Sequence, residues 1–476
     1  MTEPSRYPGL PRAAWKLLIL LPFLVACGGP ELPLSHTVKL EKDYALARSS
    51  EIERFADNLQ MEDDLFRELD ERVISANPTG ADQALQRYSR GSLSDPSARQ
   101  PNWNRSFELA PENPRGAVLL LHGMTDSPYS LRAVGERLQR ERFHVLGLRL
   151  PGHGTAPSGM LDVTWQDMSA ATTLAMVHLA QKVGSLPIHI IGYSTGGALA
   201  LDYVLQVEEQ GEGPMPRSLV LVSPAIGISP AAALAQWKRG LSMLPGLGGM
   251  AWLQVETEFD PYKYNSFSTN AAEQVHLLTH SVTQRVERRR SSGRQLPPIL
   301  IFKSTVDATV STDAVVDRLL SKLSAGRHEL VIFDINRFAV NTALLVEDPA
   351  PFTRRLIENH QLPFGVTLVT NSTPESRSIT VYRKTAFESG ASSEEAMNSE
   401  WPTGVFSLSH VALPFPPDDP LYGRHPPENK GELFLGTQAL QGERGVLRVP
   451  DNFLLRLRHN PFYEYLEERT LNWLSR

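Results

Sequence analysis

Short apolar runs alternate with stretches of helical periodicity through the middle of the chain. Between residues 103 and 335, apolar runs bounded by turn residues predict buried strands at 106–110, 116–123, 143–150, 188–191, 218–225, 297–307 and 328–334. Apolar residues spaced three or four apart predict helices at 130–141, 164–182, 198–204 and 312–323. Strands that alternate with helices predict the α/β class, with a mostly parallel sheet and helices on both faces.

The chain before this region has a different pattern. From Glu51 to Ile74 the apolar residues follow a helical spacing, and most of the charges between them are acidic. Because helices that lie on lipid surfaces are usually basic, we expect this helix to pack against the main domain. The Ser-, Arg-, Asp- and Pro-rich stretch from Thr79 to Asn102 predicts a linker. The predicted organisation is a tether, helix and linker over 27–102 and one large domain over 103–476.

A glycine-flanked serine separates the predicted strand at 188–191 from the helix that follows it. The residues Gly192-Tyr193-Ser194-Thr195-Gly196 form the pattern G-x-S-x-G of a nucleophile elbow. A serine in a tight strand-to-helix turn points outward, and glycines two positions away on either side leave room for the turn. With this motif, the order of strands and helices is that of an α/β-hydrolase, and Ser194 is the predicted nucleophile.

A serine nucleophile needs a base and an acid, which in this fold follow the serine in the order acid, then histidine. Asp307 ends the strand after the first insertion and is the predicted acid, with Asp334 as the alternative. The base is expected soon after the strand at 328–334, where no histidine occurs. We predict His410, which opens a Pro-rich loop after an apolar run, and leave His360 and His425 as alternatives.

Backbone N–H groups are the expected donors to the oxyanion. One is that of Thr195, directly after the nucleophile, and the other belongs to the loop after 116–123, at Met124. His122 and His153 also lie in glycine-rich loops, and we interpret both as structural.

Three segments, LLLHGMTDSPYSLR, LRLPGHGTAPSG and IIGYSTGGALAL, resemble the α/β-hydrolases of the monoacylglycerol lipase, bacterial carboxylesterase and serine aminopeptidase group. The resemblance covers about 103–335 and then His410. It implies Ser194, Asp307 and His410 as a catalytic triad, with Met124 and Thr195 as oxyanion donors. It also implies that 226–296 is a cap insertion over the site. The chain departs from this group in an additional insertion, 344–403, before the histidine.

The predicted cap contains an apolar segment with Trp237, Met243, Met250 and Trp252. An apolar cap suits the acyl chain of a substrate, and it equally suits simple packing onto the core, so both interpretations stay open.

The N-terminus predicts export. Basic residues precede an apolar run at 17–26, which is too short to span a bilayer and has the length of a signal-peptide core. The residues Leu24-Val25-Ala26-Cys27 resemble a bacterial lipobox, so 1–26 is the predicted signal peptide and Cys27 the predicted lipidation site. By the same resemblance, the absence of Asp after Cys27 favours the outer membrane of the cell envelope. Cys27 is the single cysteine, which excludes an intramolecular disulfide.

These observations predict a serine hydrolase that cleaves carboxylic esters, with a small ester or acylglycerol as substrate and no metal or cofactor. A net charge of −6 gives no indication of a nucleic-acid partner. The first alternative is an aminopeptidase-like amide hydrolase, in which Glu256, Glu258 or Asp260 would bind the substrate amine. The second is a non-catalytic binding module of the envelope.

Overall fold

A computed structural model describes residues 32–227, 248–289, 295–340, 343, 345–429, 431–436 and 456–476. The predicted signal peptide, Cys27, Trp237 and Met243 lie outside these residues. Among the helices of the described part, none is both long and apolar enough to cross a bilayer.

Most of the strands belong to one large sheet. The strands are β1 Phe107–Leu109, β2 Gly116–Leu121, β3 Phe143–Leu148, β4 Ile188–Tyr193, β5 Ser218–Val222, β6 Trp252–Gln254, β7 Phe267–Ser268, β8 Ile299–Ser304, β9 His328–Phe333, β10 Gly365–Asn371, β11 Ser378–Lys384 and β12 Ser393–Glu400. The large sheet has the order β1-β3-β2-β4-β5-β8-β9-β10-β11-β12, and β6 pairs with β7 separately. From β3 to β10 all neighbours are parallel, whereas β1, β11 and β12 pair antiparallel.

Helices cover both faces of this sheet. They are α1 Leu34–Thr37, α2 Phe55–Leu69, α3 Arg132–Arg140, α4 Trp165–Val183, α5 Thr195–Gln210, α6 Thr269–Arg289, α7 Thr312–Arg318, α8 Ala350–Glu358 and α9 Tyr463–Leu474. Side chains of a strand alternate between faces, so Leu119 and Leu121 pack with α4, α5 and α6. Val118 and Leu120 pack with α3 and α9 on the other face. The predicted α/β class, with a mostly parallel sheet between helices, is confirmed.

The segment before β1 is packed onto the domain. On α2, Glu62 is buried and lies 3.1 Å from the guanidinium of Arg149. The prediction of a linker from Thr79 to Asn102 is wrong for this part, because Arg87 and Tyr88 are buried within it. Their side chains donate to the carbonyls of Gly154 (3.1 Å) and Thr155 (2.9 Å), respectively. Polar composition suggested a linker, but here the polar groups satisfy the backbone of a buried loop.

The insertion after β9 extends the sheet. Helix α8 provides the crossover to β10, and β11 and β12 then add an antiparallel edge. Asn336 closes the base of the insertion, because its backbone N–H donates to the carbonyl of Phe406 (2.8 Å). Its side-chain amide donates to the carbonyl of Val405 (2.7 Å). The chain therefore leaves and rejoins the domain at one point, beside the end of β9.

Candidate active site

Ser194 occupies a strained turn between β4 and α5. Its φ of 52° and ψ of −115° lie outside the regions that side-chain-bearing residues usually adopt. A Cβ atom at Gly192 would collide with the backbone of Gly196, and one at Gly196 would collide with the carbonyl of Leu121. The glycines are therefore required for this close approach, and the turn presents Ser194 at the carboxyl end of the sheet.

His410 lies between Ser194 and Asp307. Its Nε2 is 3.2 Å from Ser194 Oγ, and its Nδ1 is 2.9 Å from Asp307 Oδ2. The histidine follows shortly after Phe406, where Asn336 ties the end of the insertion to the end of β9. The structure thus brings together the three side chains that the order along the sequence selected.

Asp307 is held as an anion. Its Oδ1 accepts the backbone N–H groups of Thr309 (2.9 Å) and Val310 (3.0 Å). Its Oδ2 is 2.6 Å from the ammonium Nζ of Lys303. Burial alone would raise the pKa of Asp307, but the hydrogen bonds and charges of His410 and Lys303 outweigh it and hold this pKa well below its usual range.

Two residues in this cluster were missed by sequence reasoning. Lys303 is fully buried at the end of β8, and Ser223 is fully buried after β5 with a φ of 47°. The Ser223 hydroxyl contacts Asp307 Oδ2, lies 3.1 Å from His410 Nδ1 and accepts from Lys303 Nζ (3.1 Å). A lysine inside the apolar run PPILIFKSTVD was the available signal, because a buried ammonium requires a partner.

Met124 and Thr195, the predicted oxyanion donors, both line the cavity beside Ser194. Neither backbone N–H donates to another group of the described residues. Gly123 allows the Met124 loop to approach, because a Cβ there would lie 3.2 Å from Ser194 Cβ and 3.1 Å from Tyr193. Two residues whose backbone N–H groups have no acceptor among the described residues therefore line the space in which an oxyanion would form.

The cavity at Ser194 has a volume of about 370 Å³ and walls that are largely apolar. The apolar lining has two sources. The sheet end of the site contributes Met124, Ala225, Val310 and Val411, and the predicted cap contributes Leu253, Phe267, Ala272 and Val275. Its charged lining residues are Asp126, Lys263 and Arg456, and Lys263 Nζ lies 3.0 Å from Asp126 Oδ1.

The turn at Ser194 and the strands around it lie within the range that matches a known protein family. The family described as serine aminopeptidase, S33, matches residues 112–336. The chain has the α/β-hydrolase fold. The matched range contains Ser194 and Asp307 and ends at Asn336, where the chain begins its insertion before His410.

Similar proteins include hydrolases and a synthase. A thermostable monoacylglycerol lipase of Bacillus sp. (strain H-257) is 33% identical over 115 residues, which are 24% of this chain and 45% of the lipase. A putative 2-succinyl-6-hydroxy-2,4-cyclohexadiene-1-carboxylate synthase of Haemophilus influenzae is 28% identical over 189 residues, 39% of this chain and 70% of the synthase. The chain therefore spans less than half of the matched lipase.

Solved structures of lipolytic enzymes are also similar. One belongs to a study of LipS and LipT, two metagenome-derived lipolytic enzymes, at 22% identity and a TM-score of 0.39, covering 48% of this chain and 87% of that one. Another is a monoacylglycerol lipase of Paleococcus ferrophilus, at 19% identity and a TM-score of 0.37. The match covers 48% of this chain and 88% of the lipase.

The other histidines considered from the sequence lie elsewhere in the domain. His122 Nε2 accepts the backbone N–H of Leu150 (3.1 Å), and burial lowers its pKa well below the ordinary value. His153 is fully buried, with Nδ1 2.9 Å from the carbonyl of Pro151. His360 and His425 are exposed and do not line the Ser194 cavity.

The alternative carboxylates have structural partners. Asp334, the other candidate acid, contacts Arg337 (2.7 Å) and Thr370 Oγ1 (2.9 Å) beside β10. Glu258 and Asp260 are buried, and backbone N–H groups of their own loop donate to both. Glu256 accepts from Gln254 (2.9 Å). Among the described residues, none of these carboxylates lines the Ser194 cavity.

Proposed function

We propose that the chain is a serine hydrolase of carboxylic esters, acting on short to medium acyl chains or monoacylglycerols. The observation that carries the proposal is His410, whose two ring nitrogens contact Ser194 Oγ and Asp307 Oδ2 at one end of an apolar cavity. An oxygen nucleophile, a base and an orienting carboxylate in this arrangement are the parts that acyl transfer requires.

In the proposed mechanism Ser194 attacks the ester carbonyl while His410 takes its proton. Asp307 holds the imidazole in position and stabilises the imidazolium that forms. The N–H groups of Met124 and Thr195 donate to the tetrahedral oxyanion. His410 returns the proton to the departing alcohol, and water activated by the same histidine then releases the acyl group.

The substrate class rests on the walls of the cavity. Leu253, Phe267 and Val275 offer apolar surface to an acyl chain, and a volume of about 370 Å³ is at the small end of typical ligand sites. The similarity to a monoacylglycerol lipase supports the same substrate class. The amide alternative is less well supported, because Glu256, Glu258 and Asp260 lie outside this cavity. The acid that does line it, Asp126, already contacts the ammonium of Lys263 (3.0 Å).

The test is hydrolysis of p-nitrophenyl esters of increasing chain length by the form that begins after Cys27. Ser194→Ala and His410→Ala are measured beside His425→Ala, which replaces an exposed histidine outside the cavity. We expect turnover to disappear in the first two variants and to persist in the third. Absence of turnover by the wild type on every ester would overturn the ester proposal and favour the amide hydrolase or the binding module.

We also propose that the hydrolase is anchored by a lipid on Cys27 in the bacterial envelope, at the outer membrane. The lipobox-like residues before Cys27 support this location. Labelling of cells with a radioactive fatty acid should give a labelled protein, and Cys27→Ser should abolish the label. Equal labelling of both forms would contradict anchoring at this cysteine.

A further inference from the structure

A second cavity of the described part lies at the opposite end of the sheet from Ser194. Its volume is about 630 Å³, within the range of small-molecule sites. Ile188 and His189, at the start of β4, line it, whereas Ser194 follows the end of that strand. A strand of this length separates the two sites by roughly 20 Å. The cavity is therefore independent of the proposed ester site.

Guanidinium groups surround this cavity. Arg115, Arg217 and Arg476 line it, and Arg327 stands beside them against Trp473. The described lining residues include no carboxylate side chain, and none of the four arginines lies within 4.0 Å of one in the described part of the chain. Positive charge is thus concentrated here without an acidic partner.

Buried nitrogen atoms without an acceptor lie in and beside the walls. Arg115 Nε, Arg327 Nε and His189 Nε2 are buried and have no hydrogen-bond partner within the described residues. His189 is itself 1% exposed, and its other nitrogen is 2.8 Å from Ser218 Oγ. Arg115 is only partly buried, so acceptor oxygens that contact its accessible atoms would stabilise a guanidinium group whose Nε is unpaired.

The charges act on one another, which supports this geometry. Burial and the charges of Arg476 and Arg217 lower the pKa of Arg327. Burial and the charges of Arg217, Arg327 and Arg115 lower the pKa of His189 to about 4, so its ring is neutral at pH 7 and can donate from Nε2.

We propose that this cavity binds a phosphate group, with the guanidinium groups of Arg115 and Arg217 contacting its oxygens. Phosphate matches the planar fork of arginine and supplies acceptors for several donors at once. The same chemistry occurs in a soluble phosphate compound and in a phospholipid headgroup, and the experiment distinguishes the two sources.

Helix dipoles offer a competing explanation for part of the cluster. Helices α4 and α9 end at Val183 and Leu474, next to the cavity, and the carbonyl end of a helix attracts cations. Arg327 already donates to the carbonyl of Trp473 (3.4 Å) in this way. The dipoles do not supply acceptors to Arg115 Nε and His189 Nε2, which have none in the described part.

The experiment is titration calorimetry of the full chain with two probes, pyrophosphate and monomeric dihexanoyl phosphatidylglycerol. The test variant is Arg115→Gln with Arg217→Gln, and the matched control is Arg318→Gln, an exposed arginine of α7 outside the cavity. Circular dichroism and ester turnover check the fold, since neither replaced arginine lies near Ser194.

We expect the wild type and the control to bind one molecule of a probe, and the double variant to bind it at least about tenfold more weakly. Binding of pyrophosphate would identify a soluble phosphate compound, and binding of the lipid alone a headgroup. Failure of the wild type to bind either probe, or equal binding by the double variant, would overturn the proposal.

Discussion

The buried ammonium of Lys303 gives the sharpest electrostatic prediction for the proposed site. Lys303 Nζ and His410 Nδ1 contact the same oxygen of Asp307, at 2.6 Å and 2.9 Å. The lysine therefore repels the imidazolium form of His410 while it stabilises the carboxylate. Lys303→Met removes this repulsion and leaves the N–H groups of Thr309 and Val310 on Asp307.

The size of the effect follows from the distance. The two nitrogen atoms are at most 5.5 Å apart, because both contact Asp307 Oδ2 at the distances of 2.6 Å and 2.9 Å. Unit charges at that separation interact by about 3 kcal/mol when the effective dielectric constant is about 20. This energy corresponds to about two pH units. Removal of Lys303 should therefore move the acidic limb of the pH–activity profile up by about two pH units.

The assay is the dependence of kcat/KM on pH for a p-nitrophenyl ester, together with the melting temperature. We expect the acidic limb of the profile to move up by about two pH units in Lys303→Met. Lys384→Met is the matched control, because Lys384 is also buried but donates to the carbonyls of Leu356 and Asn359, away from the site. It should lower the melting temperature without moving the limb. An unchanged limb in Lys303→Met would refute the electrostatic role.

Three further predictions concern the turn, the cavity and a buried acid. Gly196→Ala places a Cβ against the carbonyl of Leu121, so the unfolding free energy should fall by about 3 kcal/mol or more in denaturant titrations; a loss under about 1 kcal/mol would contradict a tight turn. Val275→Trp fills the cavity from α6 and should shift the preferred ester to shorter chains, while exposed Leu277→Trp should not. Burial raises the pKa of Glu258 to about 7, above the ordinary value of 4.5. Neutral Glu258 therefore stabilises the fold fully below about pH 4.5, and this stabilisation is lost as the pH rises through about 7. Across that range, the unfolding free energy of the wild type should fall by about 3 kcal/mol relative to that of Glu258→Gln. If the unfolding free energies of the two proteins changed in parallel with pH, the role of Glu258 would be contradicted.

The seven strands of the large sheet up to β9 (β1 to β5, β8 and β9) could be predicted, because buried parallel strands are apolar runs between turn residues. The runs at 116–123 and 328–334, for example, contain β2 and β9 with small differences at their ends. Polar segments were harder to interpret. The stretch containing Arg87 and Tyr88 has the composition of a linker, yet its hydrogen-bond partners lie in a loop more than sixty residues away, which composition cannot reveal.

The site was predictable where local motifs define it and less so where distant contacts do. The elbow at Ser194 is a local pattern of glycines. The position of His410 depends on Asn336, which donates to the carbonyls of Phe406 and Val405 at the far end of the insertion. Lys303, at the end of β8, donates to the hydroxyl of Ser223, which follows β5, although the two strands are distant in sequence. Sequence alone predicted Asp307 as the acid but not the ammonium that holds it.

The central claim is that Ser194 is a nucleophile activated by His410. Reaction with a fluorophosphonate, followed by intact-mass and peptide mass spectrometry, tests it without knowledge of the natural substrate. We expect one adduct per chain, located on Ser194, that is absent in Ser194→Ala and forms far more slowly in His410→Ala. No adduct on the folded wild type, or an adduct on another residue that survives Ser194→Ala, would contradict it.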